Sequence, residues 1–362
     1  MENIFFPLVV SFLGTVIATP LALILIRRWK LIDDPRIHKH PAMLHKKPVP
    51  RGGGIPLFIG VFISALLFLP LAKVTVGLMF ASFIALLVGT IDDKMDIAPI
   101  IRLILNMVVA LIVVGSGVGI PFVTNPFVGG VIHLDTIRLT FNFFGSHSIL
   151  LFSDIIALVW IMWVMNMINW STGVDGQMPG LVAISAIVIG ILSMRFASID
   201  SNSIIASRLS FAIAGSCLGF LIFNFYPAKI FPGYGATSIY LLLAAVAIIS
   251  GAKLATAVLV LGIPMIDGIF TLVRRITTGH SPFVHDNKHL HHILLRMGIK
   301  QPFVALFYWL ISAILGAISL SLSSRGKFFA IATLFIVVIG VLTFLHLFID
   351  NIDENKNRQT AL

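Results

Sequence analysis

The chain has 362 residues, of which 58% are hydrophobic and 11% charged, with a mean hydropathy of +1.03. Soluble domains carry about 25% charged residues, so a soluble globular protein is excluded and the chain reads as a multi-pass integral membrane protein. A net charge of +10 raises nucleic acid as a partner, but Lys and Arg collect in the cytoplasmic loops of membrane proteins, and no nucleic-acid partner is expected. The single cysteine, Cys217, lies in an apolar run and leaves no intrachain disulfide.

Apolar runs of about 17–25 residues mark membrane spans. In chain order they predict helices near 4–26, 54–72, 74–91, 100–119, 149–168, 178–197, 207–226, 237–253, 255–273, 303–322 and 328–349. The expectation is an all-α protein with ten to eleven transmembrane helices. The first run leads straight into Arg27, Arg28 and Lys30 without a cleavage site, so it is expected to be retained. Of the 25 basic residues, 18 fall in loops on one side of this arrangement and 7 on the other. That excess predicts the N-terminus outside and the C-terminus inside. Between the fourth and fifth spans, residues 120–148 carry Pro121, Asn125, Pro126, Gly129 and Gly130 and then alternate from Val131 to Phe144, which predicts a short external β-hairpin. A single polytopic domain over 1–349 is expected, followed by a frayed polar tail over 350–362 on the cytoplasmic side.

Ionisable groups beside apolar spans are expensive and mark sites. Here they gather in the loops 27–53, 92–99, 166–177, 227–236 and 274–302, all on the predicted cytoplasmic face. Asp92 and Asp93 are adjacent carboxylates that repel unless a cation shares the site, which suits metal binding, a general base or a plain acidic cap. Asn166 and Asn169 are three apart and share a helical face. Gly173-Val174-Asp175-Gly176 offers a tight turn with a carboxylate, which together with the amides suits a hard cation and a nucleotide ring. Asp267 sits among apolar neighbours after Pro264 and needs a partner, for which a divalent metal is the natural choice. His289, His291 and His292 lack zinc-site spacing. In a loop with Arg274, Arg275, Lys288 and Arg296 they read as phosphate ligands. Carboxylates for a metal and basic groups for phosphates at headgroup depth suit phosphoryl transfer between a soluble donor and a lipid acceptor.

The motifs occur in the order Leu31-Ile32-Asp33-Asp34-Pro35 with Lys46 to Gly53, Asp92-Asp93, Asn166-x-x-Asn169 with Gly173-x-Asp175-Gly176, Asn224-Phe225-Tyr226-Pro227-Ala228, Pro264-Met265-Ile266-Asp267, and His289-x-His291-His292. In this order the chain resembles the polyprenyl-phosphate N-acetylhexosamine-1-phosphate transferases. The resemblance implies transfer of a sugar 1-phosphate from a UDP-N-acetylhexosamine to a polyprenyl phosphate such as undecaprenyl phosphate, with release of UMP, in the bacterial cytoplasmic membrane. It implies Mg²⁺, with Mn²⁺ as an alternative ion, held by Asn169 and Asp267. It makes Asp92 the base candidate with Asp93 supporting and Asp267 part of the catalytic centre. Gly173, Asp175 and Asn224 match nucleotide-binding positions. Arg102, His289, His291, His292, Lys47 and Arg51 match phosphate-binding ones. Three departures bear on the donor sugar: Thr172 and Tyr234 stand where the family pattern has Asp, and extra residues lie around His38 to Leu44. A catalytically silent relative and a multi-pass transporter are the alternatives, and a homodimer is left open.

Overall fold

A computed structural model describes residues 5–36, 45, 47–142, 146–171, 173–198, 200–249, 254–281 and 287–360. Thr172, Lys46 and the stretch from His38 to Leu44 lie outside the described residues. The elements run α1 (Phe5–Arg28), β1 (Ile32–Asp33), β2 (Val49–Pro50), α2 (Gly54–Phe68), α3 (Lys73–Met95), α4 (Pro99–Gly115), β3 (Phe122–Thr124), β4 (Val131–His133), β5 (Arg138–Asn142), β6 (Ser146–Leu150), α5 (Leu151–Ser171), α6 (Gln177–Met194), α7 (Ser201–Asn224), a 3₁₀ turn at Tyr234–Ala236, α8 (Thr237–Ile248), α9 (Leu254–Val260), α10 (Gly262–Thr277), α11 (Leu290–Arg296), α12 (Gln301–Ser321) and α13 (Ser324–Thr360).

Every expected span falls on a helix, that over 255–273 on two, but not all of these helices are long enough to cross a bilayer. Among the described residues seven are long and apolar enough: α1, α3, α5, α6, α7, α12 and Ser324–Phe348 of α13. An eighth arises if α9 and α10, bent by 79° at Leu261, count as one span. Helices α2, α4 and α8 are shorter than the apolar runs that contain them. Helix α2 stops at Phe68 because Pro70 follows, and the residue before a proline disfavours helix. The break between α9 and α10 lies before Pro264 rather than at it. Pro264 is the third residue of α10, where its missing N–H costs no intrahelical bond.

The predicted single hairpin is two. β3 pairs antiparallel with β4 and β5 with β6, because the Gly129-Gly130 pair at positive φ turns the first before the alternating stretch begins. The polar stretch from Asp350 is a continuation of α13 rather than a frayed tail, since no Gly or Pro stops the helix before Thr360.

Helix α8 is the central pillar: all its residues are buried, packed by α3, α5, α7, α6 and α2. Around it small residues let backbones close up, as expected without a hydrophobic force between helices in lipid. A Cβ on Gly215 or Gly219 of α7 would strike the Leu8 or Phe12 carbonyl of α1, and Thr15 Oγ1 donates to Ser216 Oγ at 2.9 Å. On the outside, α13 is almost bare: Ile336, Phe344 and Leu347 are exposed, as a lipid-facing helix requires.

Candidate active site

The end of the bundle where α1, α3, α5 and α7 finish and α2, α4, α6 and α8 begin carries the polar groups. Its organiser is the segment 225–236. Phe231 bonds Pro50 O through its N–H, while its carbonyl accepts from Gly52 and Gly53 N–H. Three glycines then permit a backbone contact: a Cβ on Gly54 or on Gly89 would collide with Gly235. This close approach brings the 3₁₀ turn onto the last turn of α3, where the paired aspartates sit.

The two aspartates have different surroundings. Asp93 accepts from Tyr234 N at 2.7 Å and Gly235 N at 3.4 Å, and Arg51 Nε lies 2.8 Å from its Oδ1. Asp92 accepts through Oδ1 from Ile97 N at 3.0 Å, and Arg102 Nε lies 2.8 Å from the same oxygen as an ion pair. No hydrogen bond reaches Asp92 Oδ2 among the described residues. Arg102 also reaches Ile97 O at 2.6 Å and Asp96 Oδ1 at 2.7 Å. Arg51 and Arg102, expected at phosphates, therefore hold the two aspartates, although a guanidinium with five donors keeps some to spare. Lys47 is exposed and near the same loop.

Beside them the 173–177 turn is tied to the same organising segment. Asp175 Oδ2 accepts from Ala228 N at 2.9 Å. Asn224 uses both ends of its amide, accepting from Gly176 N at 3.0 Å and donating to Ile230 O at 2.8 Å, so it fixes the turn. Asp175 lies outside the helices. Burial raises its pKa, while the Ala228 N–H and more weakly His45 pull the other way.

The third group comes from α10 and α11. Asp267 is fully buried. Its Oδ2 lies 2.8 Å from His289 Nδ1, and its Oδ1 accepts from Leu290 N at 3.0 Å. Thr271 Oγ1 stands 3.4 Å from the same imidazole nitrogen. His291 reaches back to the 173–177 turn: a Cβ on Gly173 would lie 2.6 Å from its Nε2. Burial first, then His292 and His289, push the His291 pKa well below the ordinary imidazole value, which favours a neutral ring. His291 stacks on His289 at 5.8 Å between ring centroids, and His292 lies against His291 at 4.2 Å with its ring tilted by 40°.

Asn169 is half-buried near the end of α5 and makes no side-chain hydrogen bond among the described residues. Helices α5 and α10 pack where Gly268, next to Asp267, meets Trp163 and Met167. No group of three or more His, Cys, Asp or Glu that could hold a metal occurs among the described residues. One amide and one carboxylate are still a suitable donor set for Mg²⁺, which prefers oxygen, keeps several waters and shares its shell with substrate phosphates.

Sequence reasoning missed Asp96, Ile97, Asn106 and Thr271, which complete these contacts. Asn106 was within reach of it, since it stands one helical turn from Arg102 on α4.

The chain is 31% identical over 327 residues to the decaprenyl-phosphate N-acetylglucosaminephosphotransferase of Mycobacterium leprae (strain TN), covering 82% of this chain and 78% of that protein. The chain belongs to the polyprenyl-phosphate N-acetylhexosamine-1-phosphate transferases. The sequence pattern of the family described as glycosyl transferase family 4 matches residues 75–251. Another transferase-family relative, from Bacillus subtilis (strain 168), is named "Probable undecaprenyl-phosphate N-acetylglucosaminyl 1-phosphate transferase" and is 27% identical over 94% of this chain and 90% of its own. A third, the undecaprenyl-phosphate alpha-N-acetylglucosaminyl 1-phosphate transferase of Haemophilus influenzae (strain ATCC 51907 / DSM 11121 / KW20 / Rd), is 29% identical over 88% and 86%. As a phospho-sugar transferase with multiple apolar helices, this family member is a multi-pass membrane enzyme.

Proposed function

We propose that the protein transfers an N-acetylhexosamine 1-phosphate, with GlcNAc-1-phosphate the first choice, from a UDP-sugar to undecaprenyl or a related polyprenyl phosphate at the cytoplasmic face of a bacterial membrane. The observation that carries this reading is the meeting, at one end of an apolar bundle, of the Asp92–Asp93 pair, the Asp175 turn and the Asp267–His289 pair. The relatives, whose names specify undecaprenyl or decaprenyl phosphate, support the acceptor.

In the reaction an oxygen of the acceptor phosphate attacks the β-phosphorus of the donor. A new P–O bond forms to the lipid phosphate, the bond to UMP breaks, and UMP leaves with the electron pair. Asp92 Oδ2, which carries no hydrogen bond among the described residues, is the oxygen that takes a proton from the acceptor phosphate or steers it. Asp93 holds the 3₁₀ turn in place. His289, positioned by Asp267 through Nδ1, turns its Nε2 to the phosphates. His291, His292, Lys47 and the spare donors of Arg51 and Arg102 complete the anionic pocket, and Gly173 and Asp175 lie where the uracil is read. Asn169 and Asp267 would hold Mg²⁺, with Mn²⁺ as its substitute, and the ion would neutralise pyrophosphate charge, the main need of phosphoryl transfer.

The test is UMP release by purified protein in detergent from a panel of UDP-sugars with undecaprenyl phosphate. Release is expected with Mg²⁺, lost with EDTA and restored by Mg²⁺ or Mn²⁺. Folded protein that releases UMP from no UDP-sugar overturns the reading.

A further inference from the structure

Tyr234 has a use that neither the nucleotide nor the metal claims. It is 3% exposed, and its backbone, not its side chain, is what Asp93 holds. Thr237 Oγ1 adds a bond to its carbonyl at 2.7 Å. The side chain is therefore free of the task of anchoring the turn. It is placed instead against one face of α4. Arg102 and Asn106 are four apart and share that face. The guanidinium carbon of Arg102 lies 5.4 Å from the Tyr234 ring centroid, and Asn106 Nδ2 donates to the phenol oxygen at 2.9 Å. The ring thus has its hydroxyl pinned by one residue of α4 and its face under the next cation up the same helix.

Arg102 is the group that decides how Asp92 presents itself. Its Nε–H goes to Ile97 O with the guanidinium charge 2.8 Å from Oδ1 of Asp92, its Nη2 takes Asp96, and Ile97 N–H closes on the same Oδ1. With Oδ1 holding the Ile97 N–H and facing the Arg102 charge, Oδ2 is the oxygen left for substrate. A guanidinium on a long, rotamer-rich stem holds such a geometry only if its plane is supported, and an aromatic face supplies that support.

We propose, resting on the transferase reading above, that Tyr234 is a positioning residue: its ring fixes Arg102, and through Arg102 the oxygen of Asp92 that meets the acceptor phosphate.

The experiment compares Tyr234→Leu, Tyr234→Phe and Arg102→Lys in detergent, each checked by thermal unfolding and size exclusion. Tyr234→Leu is expected to lower kcat by roughly 10- to 100-fold, the scale of a misplaced catalytic group, to leave KM for the UDP-sugar within about twofold, and to move the acidic limb of the pH–rate profile. Tyr234→Phe keeps the ring and is expected to retain kcat within about threefold. The double variant Tyr234→Leu with Arg102→Lys is expected to lose no more than the worse single, because the two act as one unit. Unchanged kcat in Tyr234→Leu, or a loss carried wholly by the donor KM, overturns the proposal. An arm that needs no turnover separates it from the function itself. In ¹³C-aspartate-labelled protein, the carboxyl resonance that Asp92→Asn removes is expected to shift in Tyr234→Leu and to stay in Tyr234→Phe. A resonance unmoved by Tyr234→Leu overturns the positioning role whatever the wild-type activity, whereas a shift in a protein inactive on every UDP-sugar keeps the role and overturns only the transferase reading.

Discussion

Asp93 and Tyr234, 141 positions apart, are joined at 2.7 Å by a backbone N–H donated to a fully buried carboxylate. Because Arg51 closes on the same oxygen, Asp93→Ala leaves a cation and two N–H groups without their acceptor. Removing one partner of a buried pair costs about 3–5 kcal/mol, and the part-exposed Arg51 places this one near the lower figure. Thermal unfolding in detergent checks it, with Asp93→Asn, which keeps an acceptor oxygen, losing less.

Asp267 has no comparable substitute. Asp267→Asn keeps an acceptor for Leu290 N–H but loses the charge that holds His289. A loss of about 10²–10³ in kcat is expected, the range seen when one preorganised electrostatic contact is removed. Initial rates of UMP release measure it, and Asp267→Ala is expected to be inactive.

Gly173 is required for space. In Gly173→Ala the new Cβ meets the His291 ring, and a buried imidazole between two others has nowhere to go. Overpacking of this kind costs about 1–3 kcal/mol, and turnover should fall with it. The control is Gly115→Ala, where a Cβ meets nothing within 4 Å; both stability and turnover should hold.

Asp175 gives a pH signature of stability. Burial raises its folded pKa above the ordinary aspartate value. Between the two values the folded state keeps a proton that the unfolded state has lost, so stability from this group falls as pH rises through that window. Unfolding temperatures of wild type and Asp175→Asn across the acidic range should converge at low pH and separate in favour of the variant above it, allowing for the one bond that Ala228 N–H gives the carboxylate.

The apolar runs located the long helices, though not the short α11 or the break between α9 and α10, because burial in lipid demands long uncharged stretches, a property carried residue by residue. They misjudged length at α2, α4 and α8, since where a helix ends depends on local breakers such as Pro70 and on the packing that encloses α8 on all sides. Asp92, Asp93, Asp175 and Asp267 stood out because a carboxylate beside an apolar run is rare. Their division of labour did not, because it rests on contacts such as Asn106 with Tyr234 that join positions 128 apart.

By itself the sequence determined that this is a polytopic membrane protein, because composition suffices for that, while the order of its polar motifs carried a resemblance to the transferase family. Only the tertiary structure decided that Arg51 and Arg102 face the paired aspartates, that Asn224 ties two loops, that His289 partners Asp267 and that burial favours a neutral His291. Charge type is written in the chain, but the partner that offsets each buried charge is chosen by which backbones can approach. Here that choice was made by glycines such as Gly54, Gly89, Gly173 and Gly235.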